Sequence, residues 1–227
     1  TWCVAMHPMD QVYFAREEVG KAVFYNMSAF GQPVKTSILM GGEEFDTYTA
    51  LLKELNSTNE LPEFNRGLYE RVIESRSQFI FPSVVRGTGQ FPDSLPRVYE
   101  NGEWYSLEEI QRRERVPEFF YDYPVAFAVL NLSLAIQSRI ALGRVGVASH
   151  GTIYTEGGFR NNPDYNALIS AFFPEATVAL TGMKEATSFG AALLARTAMD
   201  GVDIHRLTDE FSFSTQAVRE ERFDGIE

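Results

Sequence analysis

The sequence predicts an α/β fold in which strands run through glycine-rich turns into helices. Three segments carry this reading. Thr152 to Thr155 is strand-like and ends in Glu156-Gly157-Gly158, after which Asn162-Pro163 opens an amphipathic helix bearing Tyr165, Leu168, Ile169 and Phe172. Thr177 to Thr181 then reads as a second strand, leading to a helix from Lys184 to Met199 with Ala186, Phe189, Gly190 and Leu193 on one face. Nearer the start, Pro33 to Met40 passes through Gly41-Gly42 into a helix with Phe45, Tyr48, Leu51, Leu52 and Leu55 on one side.

The chain has 227 residues, of which 44% are hydrophobic, enough for one large core or two small ones. Its formal charge of −11 argues against nucleic acid or an anionic membrane as a main partner, because both would repel it. A small polyphosphate stays compatible, since helix N-termini and bound Mg²⁺ supply local positive potential. The single cysteine, Cys3, excludes an internal disulfide, reads as a core residue and fits a cytoplasmic location. No uninterrupted apolar run reaches the roughly 18 residues that span a bilayer. Thr1 opens directly on a strand-like run to Met6, so the chain is expected to be a piece of a longer protein.

Along the chain, Trp2 to Met6, Ala22 to Met27 and Pro33 to Met40 suggest an antiparallel meander. A helix is expected from Pro62 to Ser75, and a strand from Phe79 to Val85 before the loop Arg86 to Pro96. Val98 to Tyr105, centred on Asn101-Gly102, signals a hairpin, and Ser106 followed by Glu108 and Glu109 an N-cap. Pro124 to Gly143 predicts a long, largely buried helix. Of the β-rich runs Val145 to Ser149 and Thr152 to Thr155, the second is favoured as the core strand because Gly157-Gly158 ends it. Beyond Gly201, acidic and basic residues interleaved with Phe211 and Phe213 suggest a peripheral segment packed on the domain or on a missing neighbour.

Pro163 suits the first helical position, where its missing N–H costs nothing, and Asn162 suits the N-cap. Two glycines at a strand's carboxyl end let another group approach the backbone closely, at the sheet edge where ligands bind in open α/β folds. A plain tight turn explains the glycines equally well when the segment is taken alone. Helix-to-sheet packing is the simpler explanation of Ala191 and Ala192, while Gly190 suits either packing or close approach of a ligand. His7, His150 and His205 are scattered, without the spacing of a metal site, and read as surface or hydrogen-bonded side chains. Gly87-Thr88-Gly89 lacks the lysine and helix of a Walker motif and reads as a loop lining a cleft. The pairs Glu17-Glu18, Glu43-Glu44 and Glu108-Glu109 read as solvated first helical turns.

Glu156-Gly157-Gly158-Phe159-Arg160-Asn161-Asn162-Pro163, then Lys184-Glu185-Ala186-Thr187-Ser188-Phe189-Gly190-Ala191-Ala192, resemble the C-terminal signature of the FGGY carbohydrate kinases, whose spacing they match without a gap. Thr1-Trp2 resembles the end of that family's phosphate-holding Ser-Gly-Thr-Trp turn, and Leu39-Met40-Gly41-Gly42-Glu43 its strand-to-helix turn beside the nucleotide. Phe81-Pro82 and Gly87 to Pro92 resemble its Pro-rich cleft loop, without the Gly-Glu-Arg found in xylulose kinases. Rhamnulose and fuculose kinase-like members look most similar.

The resemblance implies a ribonuclease H-like, actin-type domain with a mixed sheet flanked by helices, residues 1–227 being the second, nucleotide-binding domain of a two-domain sugar kinase. It implies ATP and Mg²⁺, a small sugar substrate, and an N-terminal domain that supplies the general base; a homodimer is compatible with it. By the match, Gly157 and Gly158 would approach adenine and ribose, and Asn161 and Asn162 would border the base. Gly41 and Gly42 would lie near the ribose and α-phosphate, and Thr1 at the terminal phosphates. A non-catalytic nucleotide-binding or sugar-sensing module, and a structural interaction domain whose glycine turns bind nothing, are the competing readings.

Overall fold

The computed structural model describes residues 2–147, 150–183, 185–209, 211 and 214–226. Strands β1 (Cys3–Pro8), β2 (Val23–Met27) and β3 (Pro33–Leu39) form an antiparallel sheet in the order β1-β3-β2, which corrects the expected meander. The reason lies in the connections. A tight turn through Gly31 pairs β2 with β3, whereas the long segment 9–22 lets the chain cross to the far side of β3. That segment is fastened by an ion pair between Glu18 and Lys35 and by the Tyr25 hydroxyl, which meets the Tyr13 backbone. Glu18 is therefore an anchored side chain and not a solvated helical turn.

Helix α1 (Gly41–Leu55) follows β3 after one residue and buries Tyr48, Leu51 and Leu52. Helix α2 (Arg66–Ser75) starts later than Pro62 because the Asn65 side chain caps it, accepting the Leu68 N–H at 3.1 Å. Strand β4 (Gln78–Phe81) is shorter than expected: Pro82 has no ladder donor, and the Ser83 N–H is turned to the Glu44 carboxylate at 2.8 Å. Strands β5 (Arg97–Glu100) and β6 (Glu103–Ser106) complete a second antiparallel sheet, β4-β5-β6. Their turn has positive φ at both Asn101 and Gly102, as the hairpin signal requires. Helix α3 (Leu107–Gln111) opens with a capping box between Ser106 and Glu109.

Helix α4 (Tyr123–Arg144) is the spine of the core, packing against α1, α2, β3 and β4. It is long and apolar enough, by length and composition alone, to cross a membrane, which revises the sequence expectation. Here its apolar surface is largely buried within the fold, with Ala126, Phe127, Val129, Leu130 and Leu134 inside. Val145 and Gly146 form the turn that ends this helix, and Ala148 and Ser149 of the first expected strand lie outside the described residues.

Strand β7 (Gly151–Thr155) is the second of those runs, as expected, but none of its residues is buried, so it borders the core without being the core strand expected. Helix α5 (Pro163–Phe172) packs on α4 and leads to β8 (Ala176–Thr181), which pairs parallel with β7. Helices α6 (Ala186–Asp200) and α7 (Ile204–Asp209) precede β9 (Thr215–Ala217), antiparallel to β8. The sheet β7-β8-β9 is thus mixed, but the fold has three three-stranded sheets among the described residues where one mixed sheet was expected.

One further expectation is corrected here. The face Ala186, Phe189, Gly190 and Leu193 is the half-buried side of α6, yet no described residue of that helix is buried and Ala191 and Ala192 are exposed, so tight packing on a sheet is absent. The tail packs on the domain, the first of its two expected settings, with Leu207 and Phe223 buried and the latter 5.8 Å from the Tyr69 ring. Phe211 pairs edge-on with Phe189 at 5.3 Å; Phe213 and Lys184 lie outside the described residues.

Candidate functional site

A cleft of about 1540 Å³ lies between β1 on one flank and β7 with its following turn on the other. Five of the seven expected nucleotide-site residues line it: Gly42, Gly157, Gly158, Asn161 and Asn162. Gly41 is one step back, and its reason for being glycine is packing. A Cβ there would sit 2.8 Å from Cys3 Sγ and 3.2 Å from Leu39 Cδ1. It would also lie 3.6 Å from Phe159 Cζ, so the two glycine turns, distant in sequence, meet through the Phe159 ring. Thr1 lies outside the described residues.

The turn after β7 is built for backbone access. Gly157 has φ +66 and ψ −147, a conformation that side chains strongly disfavour, and Gly158 to Asn161 then form a 3₁₀ turn. At Gly157 and Gly158 an added Cβ would meet nothing within 4 Å, so packing within the chain does not demand glycine at either position. Gly157→Ala should therefore lower stability by about 1–2 kcal/mol through backbone strain alone. Urea denaturation checks this.

Beneath the turn is a buried polar network that the sequence reading missed. Asn162 accepts the Tyr165 N–H at 3.0 Å, which confirms its N-cap role, and donates to Asn131 Oδ1 at 2.7 Å. Asn166 Nδ2 bridges the carbonyls of Phe159 at 2.8 Å and Asn162 at 2.7 Å, clamping both ends of the turn. Tyr165 donates to Ser138 at 2.8 Å, and Tyr69 to Asp164 at 2.7 Å. With both ends of its amide committed, Asn162 holds the turn in place, while the neighbouring Asn161 is exposed. The single asparagine in the apolar first half of α4, and the four-residue spacing of Asn162 and Asn166, were the available signals.

Burial dominates the electrostatics of the walls. The Cys3 thiol is pushed up to about 11 by desolvation, despite backbone hydrogen bonds from Gly42 and Gly41. Burial also raises the Asp164 carboxyl, with the Tyr69 hydrogen bond acting in the opposite sense. Asp164 is thus an engaged structural group, not a free base. His7 Nδ1 lies 3.0 Å from the Val145 carbonyl, tying β1 to the end of α4. Among the described residues no group of three His, Cys, Asp or Glu side chains converges. The open glycine backbone and the apolar Phe45 and Phe159 beside it do suit a nucleoside.

The Phe81-Pro82 and Gly87 to Pro92 region does not line this cleft. A Cβ added at Gly89 would instead lie 3.6 Å from Leu39 Cα, and Phe81, Pro82 and Gln90 to Pro92 border a second cleft.

An α/β domain with two glycine turns meeting on one cleft has the form of a ligand-binding unit, and its sequence family is definite. Residues 1–203 match the family model described as carbohydrate kinase FGGY, C-terminal domain, and the chain belongs to that family. In solved structures the fold is similar to a carbohydrate kinase from Novosphingobium aromaticivorans, with TM-score 0.61 and 22% identity, over 99% of this chain and 41% of that one. It is also similar to a ligand-bound xylulose kinase from Lactobacillus acidophilus, with TM-score 0.58 and 11% identity, over 97% of this chain and 41% of that one. The chain thus spans about two-fifths of the length of each. Comparison with curated proteins returns no match.

Proposed function

We propose that this chain is the ATP-binding half of a kinase that phosphorylates a ketose of the rhamnulose, fuculose or xylulose type. The single observation that carries this reading is the meeting of the Gly41-Gly42 and Gly157-Gly158 turns through Phe159, with open space over Gly158. Membership of the FGGY family supplies the chemical class. In this reading the domain is ribonuclease H-like, of the actin type, and residues 1–227 act with a second, sugar-binding domain in the cytoplasm.

The adenosine lies along Gly157, Gly158 and Asn161, with Asn162 fixing the turn from below. Gly41 and Gly42 border the ribose and α-phosphate, and Thr1 the terminal phosphates. ATP supplies the γ-phosphoryl group, and the protein's contribution is positioning. The buried, hydrogen-bonded Asp164 supports assigning the general base to the other domain.

The test is a coupled ADP assay on the full-length protein with Mg-ATP and a panel of ketoses. Sugar-dependent ADP release is expected. ATP binding without transfer to any ketose would favour the nucleotide-binding or sugar-sensing module, and absence of ATP binding would overturn the reading.

A further inference from the structure

A second cleft, of about 510 Å³, lies among β4, residues 90–94, Arg97 of β5 and one side of α4, and shares no lining residue with the first. Its walls are rings and branched chains, including Phe79, Phe81, Phe91, Leu132 and Ile136. Ile136 is 39% exposed here, unlike the buried apolar side chains along most of α4.

Three cations, Lys21, Arg97 and Arg144, line this cleft against one carboxylate, Asp93. In a chain with 31 acidic and 20 basic residues, that local balance runs against the composition. None of the three makes an ion pair among the described residues. The Arg97 guanidinium carbon lies over two rings, 4.0 Å from the Trp104 centroid and 5.3 Å from that of Phe81.

Arg144 is held more firmly. Its Nη1 donates to Gln90 Oε1 at 2.6 Å and to the Gln90 carbonyl at 3.3 Å. Gln90 is itself 2% exposed and pinned through Nε2 to Ser37 Oγ at 3.0 Å and the Ile38 carbonyl at 2.7 Å. Glu18 acts on Arg144 electrostatically, but its carboxylate is bonded to Lys35 and the Ala15 N–H. A half-buried guanidinium without a contacting counter-ion carries a desolvation cost that an incoming anion would offset.

We propose that this cleft binds a small anion carrying a ring, such as a cyclic or aromatic phosphate ester, with the anionic group on Arg144 and the ring against the apolar wall. Lys21 and Arg97 add attraction for the charge, and the rings and branched chains exclude water from the body of the ligand.

The probe is phenyl phosphate, titrated calorimetrically into the full-length protein at low salt, with inorganic phosphate and phenol as comparisons. Phenyl phosphate should bind more tightly than either, more weakly as salt is added, and about fivefold more weakly in Arg144→Gln. Lys21→Gln, on an exposed side chain, should weaken it by about twofold, and Gly158→Val should leave it unchanged because that residue lies in the other cleft. Where Arg144→Gln lowers the melting temperature, the Lys21→Gln result decides. No binding of phenyl phosphate, or binding indifferent to both cation substitutions, overturns the proposal; so does loss of binding in Gly158→Val, which would move the probe to the first cleft.

Discussion

Gly158→Val is expected to raise the Michaelis constant for ATP about 10- to 100-fold in the full-length protein, equivalent to about 1.4–2.8 kcal/mol, and to leave that for the sugar near its starting value. The expectation rests on what surrounds the residue. A Cβ at Gly158 meets nothing within 4 Å, and the backbone there lacks the positive φ that would strain a side chain. The protein should therefore tolerate valine with a stability change of at most about 0.5 kcal/mol. An isopropyl group instead fills the space over the turn, where a nucleoside would make close backbone contact. Steady-state kinetics with each substrate varied in turn, together with a thermal melt, separate the outcomes. An equal rise in both constants with a lowered melting temperature would assign Gly158 to folding, and no rise for ATP would remove it from the site.

The contrast with Gly41 shows what a sequence does and does not reveal about glycine. Both turns were legible as strand-to-helix junctions, because a β-rich run, a double glycine and an amphipathic helix are local signals. Which glycine faces a ligand and which faces a neighbour is a tertiary fact. Gly41 is filled against by Cys3 and Leu39, whereas Gly158 is open. The same limit explains the polar network. Asn162 was recognisable as an N-cap from Pro163 beside it, but its second bond, to Asn131, joins residues 31 positions apart. Strand order failed for a related reason: short-range signals identified β1, β2 and β3, but only the length and anchoring of segment 9–22 place β3 in the middle. The α6 face was read correctly from its period, while the exposure of Ala191 and Ala192 beside it could not be.

Glu44 carries the other large expected effect, and it was misread as a solvated residue because Glu43 beside it is one. Only 4% of Glu44 is exposed. Its Oε1 accepts the Ser83 N–H at 2.8 Å, and its Oε2 accepts Gln137 Nε2 at 2.7 Å. One side chain therefore joins α1, the end of β4 and α4. Glu44→Ala strands both buried donors and should cost about 2–4 kcal/mol. Glu44→Gln preserves an acceptor for Ser83, and the Gln137 amide can turn to accept, so its cost should be much smaller. The two differ further with pH. Burial raises the Glu44 carboxyl above its ordinary 4.5, against the hydrogen bonds from Gln137, Ser83 and Val84. Between the unfolded value and the raised folded one, the native state binds more protons than the unfolded chain, so this group's contribution to stability grows as pH falls through that window and is lost as pH rises through the folded value. Glutamine removes the titration. Denaturant unfolding at neutral pH and near pH 5 should thus show the wild-type protein gaining stability relative to Glu44→Gln on acidification, with Asp164, raised in the same direction, common to both proteins. A difference that stays flat or reverses would mean that Glu44 is not the buried, proton-retaining group that holds these three elements together.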